Sequence, residues 1–561
     1  MATTGTSNSG TSETYHLKRD IGLLSLTFIS LGSIIGSGWL LGALYGAQAA
    51  GPASLISWIL GAVLLSILAL VHAELGTAYP VAGGTARFPN FAFGTLTGFT
   101  AGWAAYLQAV TIAPIEVEAS LTYLDNIEWV HSHLNLLHPA KATLTPSGIF
   151  WATLLMLLFT VINVMGVKLL AESNTITVLW KIAVPVLTVI VLLLISFHGS
   201  NFTSAGGFMP FGMHGVFAAL PAGLIFAMQG FEQAIQMGGE ARDPQRDISR
   251  AVIIAMAAGA TLYIALEIAF IGGLNPSDLT SAKSWAEPLG NIGDFGPYAT
   301  IATTAGAAWL AKVLYVDAFI SPAGTGLLYI GTSSRLSYAL GRERTAPKAL
   351  AHVSSRGVPI YSILMAFVIG EFCFLPFPSW QSLVGLVTSA TAIMYAYAPV
   401  SLTALRRNDA GRERPYRLPA PAVMSPIAFI AANLVIYWSG YEATWKLLIA
   451  MGVGLVLFGL TRLAPSANRP PVDLHGAMWV PPRLIGMTII GYFGRYGNGA
   501  RGSTPGKSWA LPEWWDLITV CIFCLLIFYW AVSLRVNSDH VAEMVAAEEE
   551  EIRAQPDLNV A

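Results

Sequence analysis

Long apolar stretches separated by short polar connections recur along most of the chain. An apolar run of about 18 residues or more is long enough to cross a bilayer as a helix. The spans predicted on this basis, numbered 1 to 13 in chain order, are 20–47, 54–78, 96–123, 148–166, 173–197, 214–237, 250–273, 299–332, 359–377, 381–405, 422–440, 444–463 and 512–534. The pattern therefore predicts an all-α polytopic membrane protein.

Span 1 contains a glycine- and serine-rich interruption, Gly32-Ser33-Ile34-Ile35-Gly36-Ser37-Gly38. The apolar halves beside it, 21–30 and 39–50, are each too short to cross a bilayer alone. Glycine tolerates non-helical backbone, and unwinding frees amide N–H groups at one half-helix end and carbonyls at the other. Such groups favour the carboxylate and the ammonium of a zwitterion. The alternative is that Gly32 and Gly36 form a small-residue pair where two continuous helices pack closely.

Span 6 contains a second interruption, Phe226-Ala227-Met228-Gln229-Gly230-Phe231-Glu232, with an amide, a glycine and an acid at membrane depth. Ionisable groups at this depth are costly and usually functional. Because five crossings precede it, span 6 begins on the opposite side from span 1. Broken helices at matching places in inverted halves indicate a transporter's midplane site. We therefore predict two inverted repeats, 20–197 and 214–405, and a substrate site formed by Ser33, Ile34, Ile35, Gly36, Ser37, Gly38, Phe226, Gln229, Gly230, Phe231 and Glu232.

Composition narrows the function. Hydrophobic residues make up 54% of the chain and charged residues 11%, whereas charged residues approach about a quarter of a soluble protein. The net charge of −2, without a basic stripe, argues against nucleic-acid binding. His131, His133 and His138 lie in a predicted outer loop without the acidic spacing of a metal site, and no clustered motif of a membrane enzyme is present. We expect no catalysis, cofactor or metal, and a small molecule and the bilayer as partners.

The distribution of basic residues predicts the orientation. Lys and Arg concentrate before span 1 and in the connections that follow spans 6, 8 and 10. The connections on the other side carry little beyond Lys141, Lys283 and Lys446. Short cytoplasmic loops collect basic residues, so the N-terminus is predicted to be cytoplasmic, with a disordered leader at 1–19.

The pattern is weaker after spans 11 and 12, which together occupy 422–463. The Pro- and Gly-rich segment 464–511 carries Arg483, Arg495, Arg501 and Lys507 and is predicted to be cytoplasmic. Within it, Met478–Phe493 is apolar but interrupted by two prolines and an arginine, which favours a position at the membrane interface. By parity, the acidic tail 535–561 after span 13, 512–534, then ends outside, although one uncounted span would reverse this.

Three motifs together resemble signatures of the amino acid-polyamine-organocation superfamily. They are the two interruptions and the segment Glu240-Ala241-Arg242-Asp243-Pro244-Gln245-Arg246-Asp247-Ile248. The residues 72–76 and 80–84 and the extra last span look most like its bacterial aspartate:proton symporter branch. The resemblance implies a ten-helix inverted-repeat core and proton-driven amino acid uptake across a bacterial inner membrane. The chain departs from the family pattern at Trp39, Gln229 and Gly239-Glu240, which puts the substrate in doubt.

Several polar residues inside the spans are candidates for coupling. The resemblance implies that Lys181 in span 5 occupies the place where sodium-driven relatives bind the ion, and the alternative is a lysine that snorkels to the membrane edge. Glu116 and Glu118 point to roughly opposite faces of span 3, and proton relay and structural pairing both remain open for them. Ser321 and Thr325, one turn apart, are candidates for lining the cation site. Asp317 is interpreted as marking the outer end of span 8.

The substrate stays open between two classes. No Arg falls inside spans 1, 3, 6 or 10, so an acidic side chain would depend on backbone amides and Gln229. The acids Glu116, Glu118 and Glu232 suit a basic amino acid or a polyamine equally well. A transport-like nutrient receptor with the same pocket is a further alternative, and the oligomeric state is not readable from the sequence.

Overall fold

The computed structural model describes residues 21–553 except 82, 139–141, 166, 281–284, 286, 290–292, 355–357, 376–378, 464–469, 504–508 and 513. The helices are α1 Leu23–Ile34, α2 Gly38–Ala50, α3 Ser54–Ala78, α4 Gly84–Phe93, α5 Thr95–Asp125, α6 Glu128–Leu134, α7 Pro146–Met165, α8 Val167–Ile195, α9 Gly212–Ala219, α10 Ile225–Met228, α11 Glu232–Gln236, α12 Pro244–Gly273, α13 Pro276–Thr280, α14 Pro297–Thr304, α15 Ala308–Arg342, α16 Ile360–Cys373, α17 Trp380–Tyr395, α18 Tyr397–Asn408, α19 Pro421–Trp438, α20 Gly440–Leu463, α21 Leu474–Ala477, α22 Val480–Phe493, α23 Trp515–Ser533 and α24 Ser538–Arg553. Two short strands, β1 Leu137–His138 and β2 Thr143–Leu144, pair antiparallel after α6. The predicted leader 1–19, Lys141, Lys283 and the last tail residues, 554–561, lie outside the described residues.

Apolar helices dominate the part of the chain that the structure describes. Nine helical segments there are long and apolar enough to cross a membrane, and three shorter apolar helices accompany them, Leu23–Ile34, Gly212–Met228 and Ile360–Cys373. Large apolar side chains of α7, α8, α16, α20 and α23 point away from the bundle, as lipid-facing helices require. The prediction of an all-α polytopic membrane protein is confirmed.

Both predicted interruptions are breaks in the helical backbone. α1 ends at Ile34, and Ile35 adopts a non-helical conformation before α2 begins at Gly38. In the second segment a π-helical turn, Leu220–Leu224, follows α9, and the extended Gln229 then separates α10 from α11. The reading of span 1 as a continuous helix is therefore wrong.

Glycine allows the two breaks to touch. Gly230 has a φ of 126°, in the region that side chains avoid, and a Cβ there would lie 2.7 Å from Ser33 Oγ. A Cβ on Gly38 would lie 2.6 Å from Ala227 Cα. The unwound backbone of one segment thus packs directly against the other, in the interior of the bundle.

The helix ends define two faces of the bundle. We call the end where α1 begins face A, and there Ile21 N donates to Glu240 O at 3.1 Å, just before α12. The opposite end is face B, where Gln48 of α2 donates to Asp294 at 3.0 Å. α9 begins at face B, because a Cβ on Gly215 would lie 2.6 Å from Ala49 O at the end of α2. The first and second broken segments therefore start at opposite faces.

α22 runs from face A to face B of the bundle, whereas the sequence favoured a position along the membrane interface. Before it, Thr97 at the start of α5 donates to Gly476 O at 3.0 Å, at face A. After it, Tyr496 O accepts from Tyr441 N at 3.1 Å, where α20 begins at face B. The prolines that suggested an interruption occupy the first turn of the helix, where proline is well tolerated.

This crossing reverses the predicted position of the C-terminal tail. α23 begins at face B, where Tyr437 donates to Asp516 at 2.6 Å. It ends at face A, where Val536 N donates to Ala92 O at 3.1 Å. The start of α1 and the start of the tail consequently share a face, whereas the sequence placed them on opposite sides. The described residues just before α22 contact face A and those just after it contact face B, whereas the sequence predicted one cytoplasmic segment at 464–511.

Candidate functional site

Lys181 joins three helices at the break in the first segment. Its Nζ donates to Gly32 O of α1 at 2.5 Å and to Thr325 Oγ1 of α15 at 2.7 Å. The side chain is buried, so it does not snorkel to the membrane edge. Gly32 O is one of the carbonyls near a helix end that the break leaves accessible to an outside donor. The ammonium therefore holds α1, α8 and α15 together at the height of the break.

Glu116 of α5 reaches the other side of the same break. Its Oε2 accepts from the backbone N of Ser37, at the start of α2, at 2.8 Å. A Cβ on Gly36 would lie 2.6 Å from Glu116 Oε1 and 3.0 Å from Thr325 Oγ1, so the approach requires glycine. Oε1 has no hydrogen-bond partner in the described part of the chain. A carboxylate thus already occupies the helix N-terminus that favours an anion.

Glu232 ties the second break to α15 and α17. It accepts from Tyr395 OH at 2.6 Å and from its own break at Gly230 N at 3.0 Å. Tyr329 OH lies 3.4 Å from Glu232 and 2.7 Å from Ser33 Oγ, which belongs to the first break. Hydroxyl groups therefore connect the two unwound stretches.

A small cavity lies between the two breaks. It has a volume of about 10 Å³, roughly the room for one water molecule. It is lined by Ser33, Ile34, Gly36, Gly38, Ile112, Glu116, Phe226, Gln229, Thr325 and Tyr329. Both polar side-chain atoms of the buried Gln229, Oε1 and Nε2, lack a hydrogen-bond partner among the described residues. The conformation is closed, and the cavity must widen before it can hold an amino acid.

Other predicted site residues take up positions around the cavity. Ser37 Oγ accepts from Trp380 Nε1 at 2.9 Å, and the ring of Phe231 stacks on Tyr395 at 4.9 Å between centroids. Ile35 is buried in the apolar core. These residues, with Gly230 and Glu232, support the breaks and do not line the cavity.

Glu118 does not join Glu116. It is buried, and neither of its carboxylate oxygens has a hydrogen-bond partner within the described ranges. The hypothesis of structural pairing thus gains no support from the hydrogen bonds that the structure describes.

Asp317 forms a polar cluster that the sequence interpretation missed. It is fully buried, although we interpreted it as the outer end of span 8. Its oxygens accept from Trp39 Nε1 at 3.1 Å, Trp180 Nε1 at 2.7 Å and Ser321 Oγ at 2.7 Å. Ser321 therefore bonds Asp317, while Thr325 contacts Lys181. The unusual Trp39 and the position of Trp180 beside the lysine were the available signals.

A charged cluster closes face A. The buried Glu74, at the end of α3, accepts from Arg406 Nε at 2.7 Å and Nη2 at 2.5 Å. Leu418 N donates to the same carboxylate at 2.6 Å, and Arg414 Nε lies 3.4 Å from it. The cluster connects α3 to α18 and to the start of α19, and so restrains the face A ends of these helices.

Comparison with known proteins gives a consistent result. A sequence model of the family described as amino acid permease matches residues 21–458. The chain is 34% identical over 525 residues to the aspartate-proton symporter of Bacillus subtilis (strain 168), covering 92% of this chain and 96% of that protein. It is 32% identical over 529 residues to the glutamate/serine transporter AimA of the same organism, covering 94% and 96%. It is 26% identical over 443 residues to the aromatic amino acid transport protein AroP of Escherichia coli (strain K12), covering 75% and 90%.

Proposed function

The chain belongs to the amino acid permease family, and from this we propose that it carries an amino acid together with protons across a bacterial inner membrane by alternating access. The cavity between the two broken segments is the observation that carries the proposal, because free peptide groups and a carboxylate meet there. The names of two relatives, an aspartate-proton symporter and a glutamate/serine transporter, support an acidic amino acid as the substrate.

Glu116 couples substrate binding to proton uptake. In the closed conformation it holds the Ser37 amide, which is the group best placed to bind the α-carboxylate of a substrate. A substrate that binds the Ser37 amide brings its own α-carboxylate close to the carboxylate of Glu116. Two carboxylates in a small buried space cannot both stay ionised, so one of them takes up a proton. Substrate and proton then bind together, which is the requirement for symport.

Lys181 transmits the change to the helices. Its bonds to Gly32 O and Thr325 Oγ1 stabilise the closed position of α1 against α15. Weakening them lets the first broken segment move and the cavity widen. Glu118 serves as a second candidate on the proton pathway, because its buried carboxylate has no bonded partner in the described residues.

The side-chain amide of Gln229 serves the second carboxylate of an acidic substrate. It lines the cavity, and its Nε2 has no acceptor within the described part of the protein. Ser33 and Tyr329 add hydroxyl donors to the same wall. A basic amino acid or a polyamine is the second candidate, because Glu116 lines the cavity while no described Arg or Lys does.

The architecture that fits this mechanism is a pair of inverted five-helix repeats, at 20–197 and 214–405. It is supported by the opposite starting faces of the two broken segments and by their direct contact. The N-terminus is cytoplasmic in this proposal, as the basic connections predict.

Uptake into proteoliposomes tests the proposal. Labelled aspartate, glutamate, serine and lysine are offered with and without an inward proton gradient. We expect accumulation of aspartate or glutamate only with the gradient. Accumulation of lysine instead would favour the second candidate, and binding without movement would identify a nutrient receptor.

Two variants separate coupling from binding. Glu116→Gln keeps an acceptor for the Ser37 amide but removes the titrating group, so we expect exchange of substrate without gradient-driven accumulation. Glu371→Gln is the matched control, since this acid of α16 bonds Thr153 away from the cavity. Normal accumulation by Glu116→Gln would refute the role of Glu116.

A further inference from the structure

Arg483 is a cation buried inside the helix bundle, away from the proposed transport site. It lies in the first turn of α22 and is 1% exposed. Its Nε donates to Asn433 Oδ1 of α19 at 3.0 Å. Its guanidinium carbon lies 5.7 Å from the ring centroid of Tyr397 and 5.4 Å from that of Phe429. Burying such a charge is costly unless an opposite charge accompanies it.

The terminal nitrogens of this guanidinium are unmatched donors. Neither Nη1 nor Nη2 has a hydrogen-bond acceptor among the residues that the structure describes. The acceptor of Asn433 is already used by Nε, and its amide donates to Phe429 O at 2.7 Å. Trp479, one turn earlier, packs against the rings of Tyr397 and Phe429, and its Nε1 also lacks an acceptor in the described ranges. Several donors in one region thus lack an acceptor.

Arg483 also lines a cavity. The cavity lies between α19, α20 and α22, has a volume of about 10 Å³, and includes Asn433, Thr444 and Met487 among its lining residues. A space for roughly one water molecule excludes a phosphate or a lipid headgroup. It admits a monatomic ion of slightly larger radius than water, since side chains such as Met487 adapt readily.

We propose that this cavity binds a small monovalent anion of the size of chloride, held by Arg483 Nη1 and Nη2. The anion supplies the missing acceptors and neutralises the buried guanidinium, which a water molecule alone does not do. It also joins the last helices to the core, because Ile393 of α17 lines the same cavity. The site is independent of the proposed transport function.

Thermal unfolding of the purified full chain in detergent tests the site. Sodium chloride is compared with sodium gluconate at equal ionic strength, and bromide and sulfate are added to the series. We expect chloride and bromide to raise the Tm saturably, by about 2 °C or more once the anion concentration is well above the dissociation constant. Gluconate and sulfate should have no effect on the Tm. A Tm that is the same in chloride and gluconate would overturn the proposal.

Arg483→Gln should lose the chloride dependence of the Tm. Arg417→Gln is the matched control, because Arg417 is exposed, and it should keep the dependence. An unchanged dependence in Arg483→Gln would also count against the site. If that variant does not fold, crystals of the unaltered protein grown with bromide provide the second test. An anomalous scattering peak beside the guanidinium supports the proposal, and a cavity that holds only water contradicts it.

Discussion

Lys181→Ala removes an ammonium that makes two hydrogen bonds, of 2.5 Å to Gly32 O and 2.7 Å to Thr325 Oγ1. Hydrogen bonds to charged groups contribute about 1.5 to 3 kcal/mol each. Thr325 Oγ1 remains 3.3 Å from Gly32 O and offsets part of the loss, so we take the lower sum, about 3 kcal/mol. A loss of this size shifts the balance between closed and open conformations more than about 100-fold.

The assay compares accumulation with exchange. A gradient of about one pH unit drives roughly tenfold accumulation per coupled proton, since about 1.4 kcal/mol corresponds to a factor of ten. We expect the unaltered protein to approach this ratio and Lys181→Ala to stay near equal concentrations inside and outside. Exchange of internal for external substrate, which needs no gradient, should persist in the variant.

The matched control is Lys312→Ala, which removes an exposed lysine of α15. It should accumulate substrate as the unaltered protein does. If Lys181→Ala also accumulates substrate to the full ratio, the coupling role of this lysine is wrong. If it loses exchange as well and elutes as a single folded species, Lys181 serves binding and not coupling.

Three further predictions concern other parts of the molecule. Gly230→Ala places a Cβ 2.7 Å from Ser33 Oγ at a φ of 126°, so we expect a strain of about 1 to 3 kcal/mol and at least a tenfold slower uptake, measured as initial rates. Glu74→Ala leaves Arg406 without its carboxylate and should lower the unfolding free energy by about 3 kcal/mol, read as a lower Tm. Burial raises the pKa of Asp294 to about 7. Because the folded state then binds the proton more tightly than the unfolded state, stability falls as the pH rises from about 4 to about 7. Asp294→Asn should escape this loss, so that its Tm relative to the unaltered protein increases with pH, and a constant difference would contradict the assignment.

The apolar pattern predicts helices well where proline and glycine mark their ends. α3 runs over the same residues as span 2, 54–78, between Pro52 and Pro80. The pattern fails at α22, where Arg483 and two prolines stand in the first turn. Sequence alone does not reveal that Asn433 and two aromatic rings accompany this arginine. The short α4 was not predicted either, because its apolar residues do not form a run of spanning length.

The candidate site was proposed from unusual residues in the sequence. Glycines, serines and an acid inside apolar runs signalled both breaks, and Lys181 and Glu116 stood out as charges at membrane depth. Tyr329 and Tyr395 gave no such signal, because a single tyrosine in an apolar helix is common for many reasons. Their importance depends on tertiary contacts with Glu232, which only the folded chain brings together.

The crossing made by α22 has a practical consequence for anyone who labels this protein. Since α1 starts and α23 finishes at face A, we expect reporters fused to the two ends to sample the same compartment. A fluorescent protein that folds only in the cytoplasm should therefore give the same signal at the N-terminus as at the C-terminus. The same holds for a phosphatase that works only in the periplasm.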